Sequence, residues 1–289
     1  MEPLPFRPII LIGAARSGTK ILRDTIALHP DMDKVPYDVN YIWRLGNEKL
    51  SHDELTSDMA TDQVIRRIRN HFLRYHSAGT PYLIEKTVGN TLRPLFVEKV
   101  FPEALFIHLI RDGRDVVESV YRQWLAPPDW RYIAKKAMVF PLTQAFGYAL
   151  SYAKTAIMKA VRPSSQHAGT WGPRYDGIDE DVATKDLLTV CAIQWRRSVE
   201  KALEEFAQIP SSNVLTIRYE DFVADPEIHL MKIATFIGLR PEFYMNTDLS
   251  HISTSNVGKG LKNLNDFQIE AVMAVIEPTL RMLGYLSEG

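Results

Sequence analysis

The sequence predicts one α/β domain of the P-loop-NTPase-like kind, with helices layered on both faces of a central, mainly parallel sheet. Three observations carry that reading. Short apolar runs rich in β-branched residues alternate with helical patterns along all 289 residues. The first run opens directly into a glycine-bearing loop and then a helix, in "PIILIGAARSGTKILRDTIALHP". A hydrophobic share of 46% can bury a substantial core.

The elements follow in order. Residues 9–12, 82–84, 105–110 and 214–217 are continuously apolar, as strands covered on both faces are. Helical patterns cover 20–28, 63–76, 91–100, 116–124, 185–206, 226–237 and 266–282. Asp225-Pro226 gives one of them a cap with proline in its first turn. Residues 126–181, holding "APPDW" and "RPSSQHAGTWGPRYDGIDED", are the least regular and read as an insertion within the single domain 1–289.

Composition narrows the function. A formal net charge of -1 argues against binding nucleic acid by bulk electrostatics. Cys191 is the only cysteine, so no intramolecular disulfide forms. With no secretory signal read at the N-terminus, a reducing, cytoplasmic setting is expected. Residues 137–153 are uncharged but broken by Pro141, Gln144 and Gly147. They read as a buried helix or pocket wall in preference to a membrane-surface helix.

Gly13, four residues, Gly18 and then Thr19-Lys20 nearly spell the nucleotide phosphate loop, with the last two residues reversed. A strand, a glycine-bearing turn and a helix N-terminus together make an anion site, because backbone N–H groups converge on the helix dipole. A magnesium-nucleotide enzyme also needs an acid on a later strand to hold its metal. The best candidate, "LFIHLIRD", brings Arg111 to its tip instead.

The segments "GAARSGTK" and "HLIRDGRDVVESV" resemble the PAPS-dependent sulfotransferases, the bacterial and Golgi-type members in particular. In that family a P-[R/K]-S-G-T-T loop holds the 5′-phosphosulfate and an R-x₇-S element holds the 3′-phosphate. Arg16, Ser17, Gly18 and Thr19 match the first, which implies a ligand loop from Ala15 to Lys20. Arg111 and Ser119 match the second: a strand-tip arginine and a serine two turns along the next helix can meet on one phosphate. "NVLTIRYEDFVADPE" resembles the segment that puts a tyrosine, here Tyr219, beside the adenine. "SNVGKGLKNL" resembles the basic loop over the 3′-phosphate, which implies Lys259 and Gly260. The resemblance thus implies PAPS as co-substrate, PAP as product and no required metal.

Sulfuryl transfer needs in-line positioning, cations at the leaving oxygen and a base for the acceptor proton. Arg16 is the obvious cation. Lys20 replaces the family's second threonine, and either a phosphate contact or solvent suits it. Cytosolic members carry K-T-H; here Lys86-Thr87 matches, which implies a catalytic lysine, and Val88 stands where their histidine would be. Other members use a carboxylate beyond an H-P-x pattern, and after His29-Pro30-Asp31 that implies Asp38, with Tyr37 competing for the position. Glu85 is the second candidate base, and His108 reads as a packed core histidine. The expected acceptor is a small-molecule, carbohydrate or lipid-linked hydroxyl or amine. Trp130, Phe140, Tyr148, Trp171 and Tyr175 of the insertion are expected to line its side of the cleft. The rival functions are a kinase using Mg-ATP and a non-catalytic PAP-binding module. Oligomeric state is left open.

Overall fold

The computed structural model describes residues 3–126 and 172–286. Along the chain run β1 (Arg7–Ile12), α1 (Thr19–Ile26), β2 (Met32–Lys34), α2 (Asn40–Trp43), α3 (Asp62–Phe72), β3 (Tyr82–Glu85), α4 (Pro94–Val100), β4 (Leu105–Ile110) and α5 (Gly113–Leu125). Then come α6 (Ile178–Thr184), α7 (Leu187–Phe206), β5 (Val214–Arg218), α8 (Tyr219–Ala224), α9 (Pro226–Ile237), α10 (Lys259–Asn263) and α11 (Asp266–Met282).

Among the described residues the sheet has the order β2-β3-β1-β4-β5, and every pairing is parallel. The four expected strands form it. β2 went unread because its three residues, Met-Asp-Lys, offer a single buried apolar side chain. Period-two alternation divides the apolar strands between two cores. Ile10, Ile12 and Phe106 pack with Trp43, Phe72, Phe96 and Phe206 on one face. Ile9, Leu11, Ile107 and Leu109 pack with Leu22, Phe222 and Ile233 on the other. Burying each such side chain contributes about 1.5–3 kcal/mol, so both faces must be covered.

The helix starting at residue 91 on the sequence reading begins later. Residues 88–92 form a tighter 3₁₀ turn, and α4 starts at Pro94, where proline's missing N–H costs nothing. α9 starts at Pro226, as the Asp225-Pro226 pair predicts. The chain steps from β1 to β2 and β3 on one side, then crosses to β4 on the other. That reversal opens a crevice at the carboxyl ends of β3, β1 and β4.

Trp130, Phe140, Tyr148, Trp171 and residues 137–153 lie outside the described residues. Tyr175, expected at the acceptor side of the cleft, is instead buried among Leu92, Ile178 and Val190, its hydroxyl 2.7 Å from Asp181. No helix among the described residues is long and apolar enough to cross a membrane.

Candidate functional site

Backbone constraints shape the loop after β1. A Cβ on Gly13 would lie 2.7 Å from the Leu109 carbonyl oxygen of β4, so only glycine lets the loop leave the sheet there. Ser17 N–H donates to the Ala14 carbonyl at 3.1 Å, closing a turn. Arg16 sits in the left-handed region at φ 69°, which costs a non-glycine residue about 1 kcal/mol or more and is typical of functional loops. Gly18, at φ 91°, starts α1, and a Cβ there would meet the Tyr219 ring at 2.5 Å. Gly18 gives α1 no side-chain cap, so the helix start keeps first-turn amides without a capping bond. Lys20 is exposed.

Arg111 leaves the tip of β4 and lies over the Tyr219 ring, 4.3 Å from its centroid. Its Nη1 donates to the Arg16 carbonyl at 3.1 Å and its Nη2 to the Asn256 carbonyl at 2.5 Å. Arg16 Nε in turn donates to Ser119 Oγ at 3.0 Å. Arg16, Arg111, Ser119 and Tyr219 thus meet from four separate segments of the chain. Tyr219 is buried between Gly18 and Arg111, which makes it a platform under both. Two buried atoms here, Ser17 Oγ and Arg111 Nε, have no hydrogen-bond partner among the described residues. Burial lowers the pKa of Arg16, and the charges of Arg122 and Arg111 lower it further. Crowded cations with unfilled donors form a site that an anion completes.

Arg122 was not read from the sequence, although its position one turn past Ser119 was an available signal. Nor was Asp115. Its buried carboxylate accepts N–H bonds from Gly258 at 2.9 Å and Gly260 at 2.7 Å, and lies 3.4 Å from Arg111 Nη2. A Cβ on Gly260 would collide with the Arg114 carbonyl. The N–H of Gly260 is taken by Asp115, and the missing Cβ lets α10 pack closely on α5. Lys259, the first residue of α10, bonds Asn256 Oδ1 at 2.7 Å. Asp112, the acid beside Arg111, caps α5 at Arg114 N (2.9 Å) and pairs with the Arg114 guanidinium at 2.5 Å.

The other wall comes from β3. Ile10 pairs with Glu85, so Lys86 stands level with the end of β1, beside the loop. Lys86 Nζ is 2.7 Å from Asp38 Oδ1; the lysine is buried and the aspartate half-buried. Val39 N–H donates to Thr87 Oγ1 at 2.9 Å and holds the two segments together. Val88 packs on the cluster containing Ala14 and Ala15 and makes an apolar wall. Glu85 is fully buried, and burial pushes its carboxyl up to about 7. His108 lies 5.0 Å from the Phe206 ring, pulled down by burial to about 4, in the core as expected.

A model of the sulfotransferase family matches residues 8–139 and 164–242. Protein-tyrosine sulfotransferase 1 of Danio rerio is 31% identical over 124 residues, covering 39% of this chain and 35% of that protein. Protein-tyrosine sulfotransferase 2 of Gallus gallus is 22% identical over 244 residues, covering 80% of this chain and 51% of that protein. The chain thus spans about a third to a half of these relatives' length. A solved sulfotransferase from Mycobacterium avium shares the fold, with a TM-score of 0.54, 12% identity, and 97% of this chain and 77% of that one covered.

Proposed function

The chain belongs to the sulfotransferase family, and we propose that it moves a sulfuryl group from PAPS to a hydroxyl or amine acceptor without a metal ion. One observation carries this reading: Arg16, Ser119 and Arg111 converge over Tyr219 with Ser17 Oγ and Arg111 Nε still unfilled. A cationic cradle with unfilled donors suits a nucleotide bisphosphate. The loop from Ala15 to Lys20 and the start of α1 would hold the 5′ side. Arg111, Ser119 and Lys259 would hold the 3′-phosphate, with Tyr219 supporting both.

The donor supplies an activated sulfuryl group; the protein supplies charge and a base. Asp38 accepts the acceptor's proton as sulfur bonds the acceptor oxygen or nitrogen and its bond to the bridging phosphate oxygen breaks, releasing PAP. Lys86, paired with Asp38 at rest, keeps that carboxylate oriented. As Asp38 gains the proton, the ammonium is released toward the negative charge growing on the leaving oxygen, where Arg16 also acts. The intact Asp38–Lys86 pair favours an enzyme over a binding module. A kinase is disfavoured because Asp112, the acid beside Arg111, is engaged by the cap and Arg114. A tyrosyl hydroxyl is the first acceptor to test, since the relatives' names specify protein tyrosine; carbohydrate and lipid-linked hydroxyls come next.

Thermal unfolding with PAP in EDTA, and separately with Mg-ATP, tests the reading. PAP at a hundred times its Kd should stabilise the fold by about 2.7 kcal/mol, and Mg-ATP should do nothing. Stabilisation by Mg-ATP alone would make the chain a kinase.

A further inference from the structure

Behind the Asp38–Lys86 pair lies a buried polar network that the transfer chemistry does not touch. Asn90 Nδ2 donates to Glu85 Oε2 at 3.1 Å, and Arg93 Nε donates to Asn90 Oδ1 at 2.9 Å. Arg93 Nη2 donates to Asn40 Oδ1, and Asn40 Nδ2 donates to Asp53 Oδ1 at 2.9 Å. Arg44 Nη1 reaches the same Asp53 oxygen at 3.2 Å. Asp53 Oδ2 accepts from the Arg174 N–H at 2.9 Å, while Asp53 N–H donates to the Arg174 carbonyl at 2.6 Å. Gly89 leaves the room this needs, since a Cβ there would be 2.9 Å from Asn40 Oδ1.

The ends of this network matter more than its middle. Asn40 is two residues past Asp38, and Glu85 is the neighbour of Lys86. Both arms of the ion pair are therefore rooted in one cluster, and the Val39–Thr87 bond ties them together again between roots and pair. Arg93 is completely buried and Asp53 nearly so. Burial alone would raise the Asp53 carboxyl, yet Arg93, Asn40 and the Arg174 amide hold it below the usual carboxylate range. A buried charge cluster of this kind is weak evidence of stability, because desolvation offsets most of the attraction. It does constrain geometry, since its bonds are directional, and Glu85 Oε1 and Arg93 Nη1 are sealed inside it without a hydrogen-bond partner among the described residues.

We infer that Asn40, Arg93 and Asp53 are positioning residues for the transfer step, holding Asp38 and Lys86 in register beside the phosphate loop. The inference rests on the proposed roles of Asp38 and Lys86. It also carries a third arm to Arg174, so one hub joins the Asp38–Lys86 pair to the segment that holds Arg174.

The test is a double-mutant cycle read with labelled PAPS and a tyrosine-bearing peptide. Asn40 is only half-buried, so Asn40→Ala is the variant expected to fold; Arg93→Lys, keeping charge but losing the fork, is the second. Asn40→Ala should lower kcat roughly tenfold to a hundredfold, the usual effect of a small misplacement. PAP affinity and KM for PAPS should stay within about twofold. In an Asp38→Asn background the same change should have almost no further effect on kcat, because the group it positions is gone. Hydrogen exchange with PAP bound should quicken at residues 37–40 and not at 13–18.

A full, additive loss in the Asp38→Asn background would show a merely structural hub, as would a matching drop in PAP affinity. Full wild-type kcat in both variants would overturn the inference as well. If Asp38→Asn itself turns over normally, or the wild type transfers nothing to the peptide, the assignment of the base or of the acceptor fails instead. The hub then falls with it.

Discussion

The two walls of the crevice are built by different means. On the side proposed to hold the nucleotide, backbone groups supply most of the contacts. Arg111 donates to two carbonyls, Asp115 accepts from two amides, and Gly13, Gly18 and Gly260 stand where a Cβ would collide. On the β3 side, proposed to face the acceptor, side chains bond side chains, from Glu85 through Asn90, Arg93 and Asn40 to Asp53. A backbone cradle is indifferent to most substitutions but intolerant at its glycines. A side-chain network can be retuned one residue at a time. The nucleotide is a constant of the proposed chemistry and the acceptor varies, so the division suits a scaffold that keeps one ligand and changes the other.

The largest effect should separate the walls cleanly. Asp38→Asn preserves size and leaves the cradle untouched. Turnover should fall by roughly 10²- to 10⁴-fold, the usual worth of a positioned base, while calorimetry finds PAP affinity unchanged. Equal losses in turnover and PAP affinity would mean that the two walls are one cooperative unit.

Next is Arg111→Ala, which removes the charge at the β4 tip and frees the Arg16 and Asn256 carbonyls. PAP binding should weaken roughly ten- to a hundredfold, from about 1.5–3 kcal/mol of charge-assisted bonding. The Asp38–Lys86 side should keep its hydrogen-exchange protection. Unchanged PAP affinity would remove the 3′-phosphate assignment.

The pH dependence of stability sharpens the contrast, because the β3 wall hides a titrating group. Folded, Glu85 keeps its proton to about pH 7, whereas the unfolded carboxyl loses it near 4.5. The folded state binds the extra proton in that window. Glu85's contribution therefore falls as pH rises from about 4.5 to about 7, by about 1.4 kcal/mol per unit, and is level above. His108 runs the other way: neutral when folded down to about 4 but protonated below 6.5 when unfolded, it adds stability as pH rises between those values. The two slopes oppose each other in the wild type. Glu85→Gln should leave the His108 slope alone, so the variant gains on the wild type by about tenfold in folding equilibrium per pH unit up to about 7. Urea titrations at pH 5, 6, 7 and 8 measure this. A constant difference would mean that Glu85 is ionised throughout.

The smallest effect belongs to the latch on the nucleotide side. Asp115→Asn keeps one acceptor oxygen for the Gly258 and Gly260 amides. It should weaken PAP binding only about threefold to tenfold, one neutral bond's worth, without altering kcat at saturating PAPS. A loss as large as that of Arg111→Ala would make Asp115 the principal support of the cradle.

Sequence by itself determined whatever depends on neighbours in the chain. The four apolar strands announce themselves because burial on both faces demands uninterrupted apolar runs. The 13–18 loop does so because a tight strand-to-helix turn demands glycine. Arg111 and Ser119 were picked out together because their spacing resembles the R-x₇-S element of the sulfotransferases. Tertiary structure decided the rest. It showed that Lys86 meets Asp38 across 48 residues of chain, that Glu85 is sealed in the interior, and that the Gly260 amide is held by Asp115 from 145 residues away. It also assembled the Asn40–Arg93–Asp53 hub, whose members carry no motif. Such pairings cannot be read along the chain, because a polar side chain's partner is chosen by burial: once desolvated it must find a donor or acceptor, and folding alone brings that partner within reach.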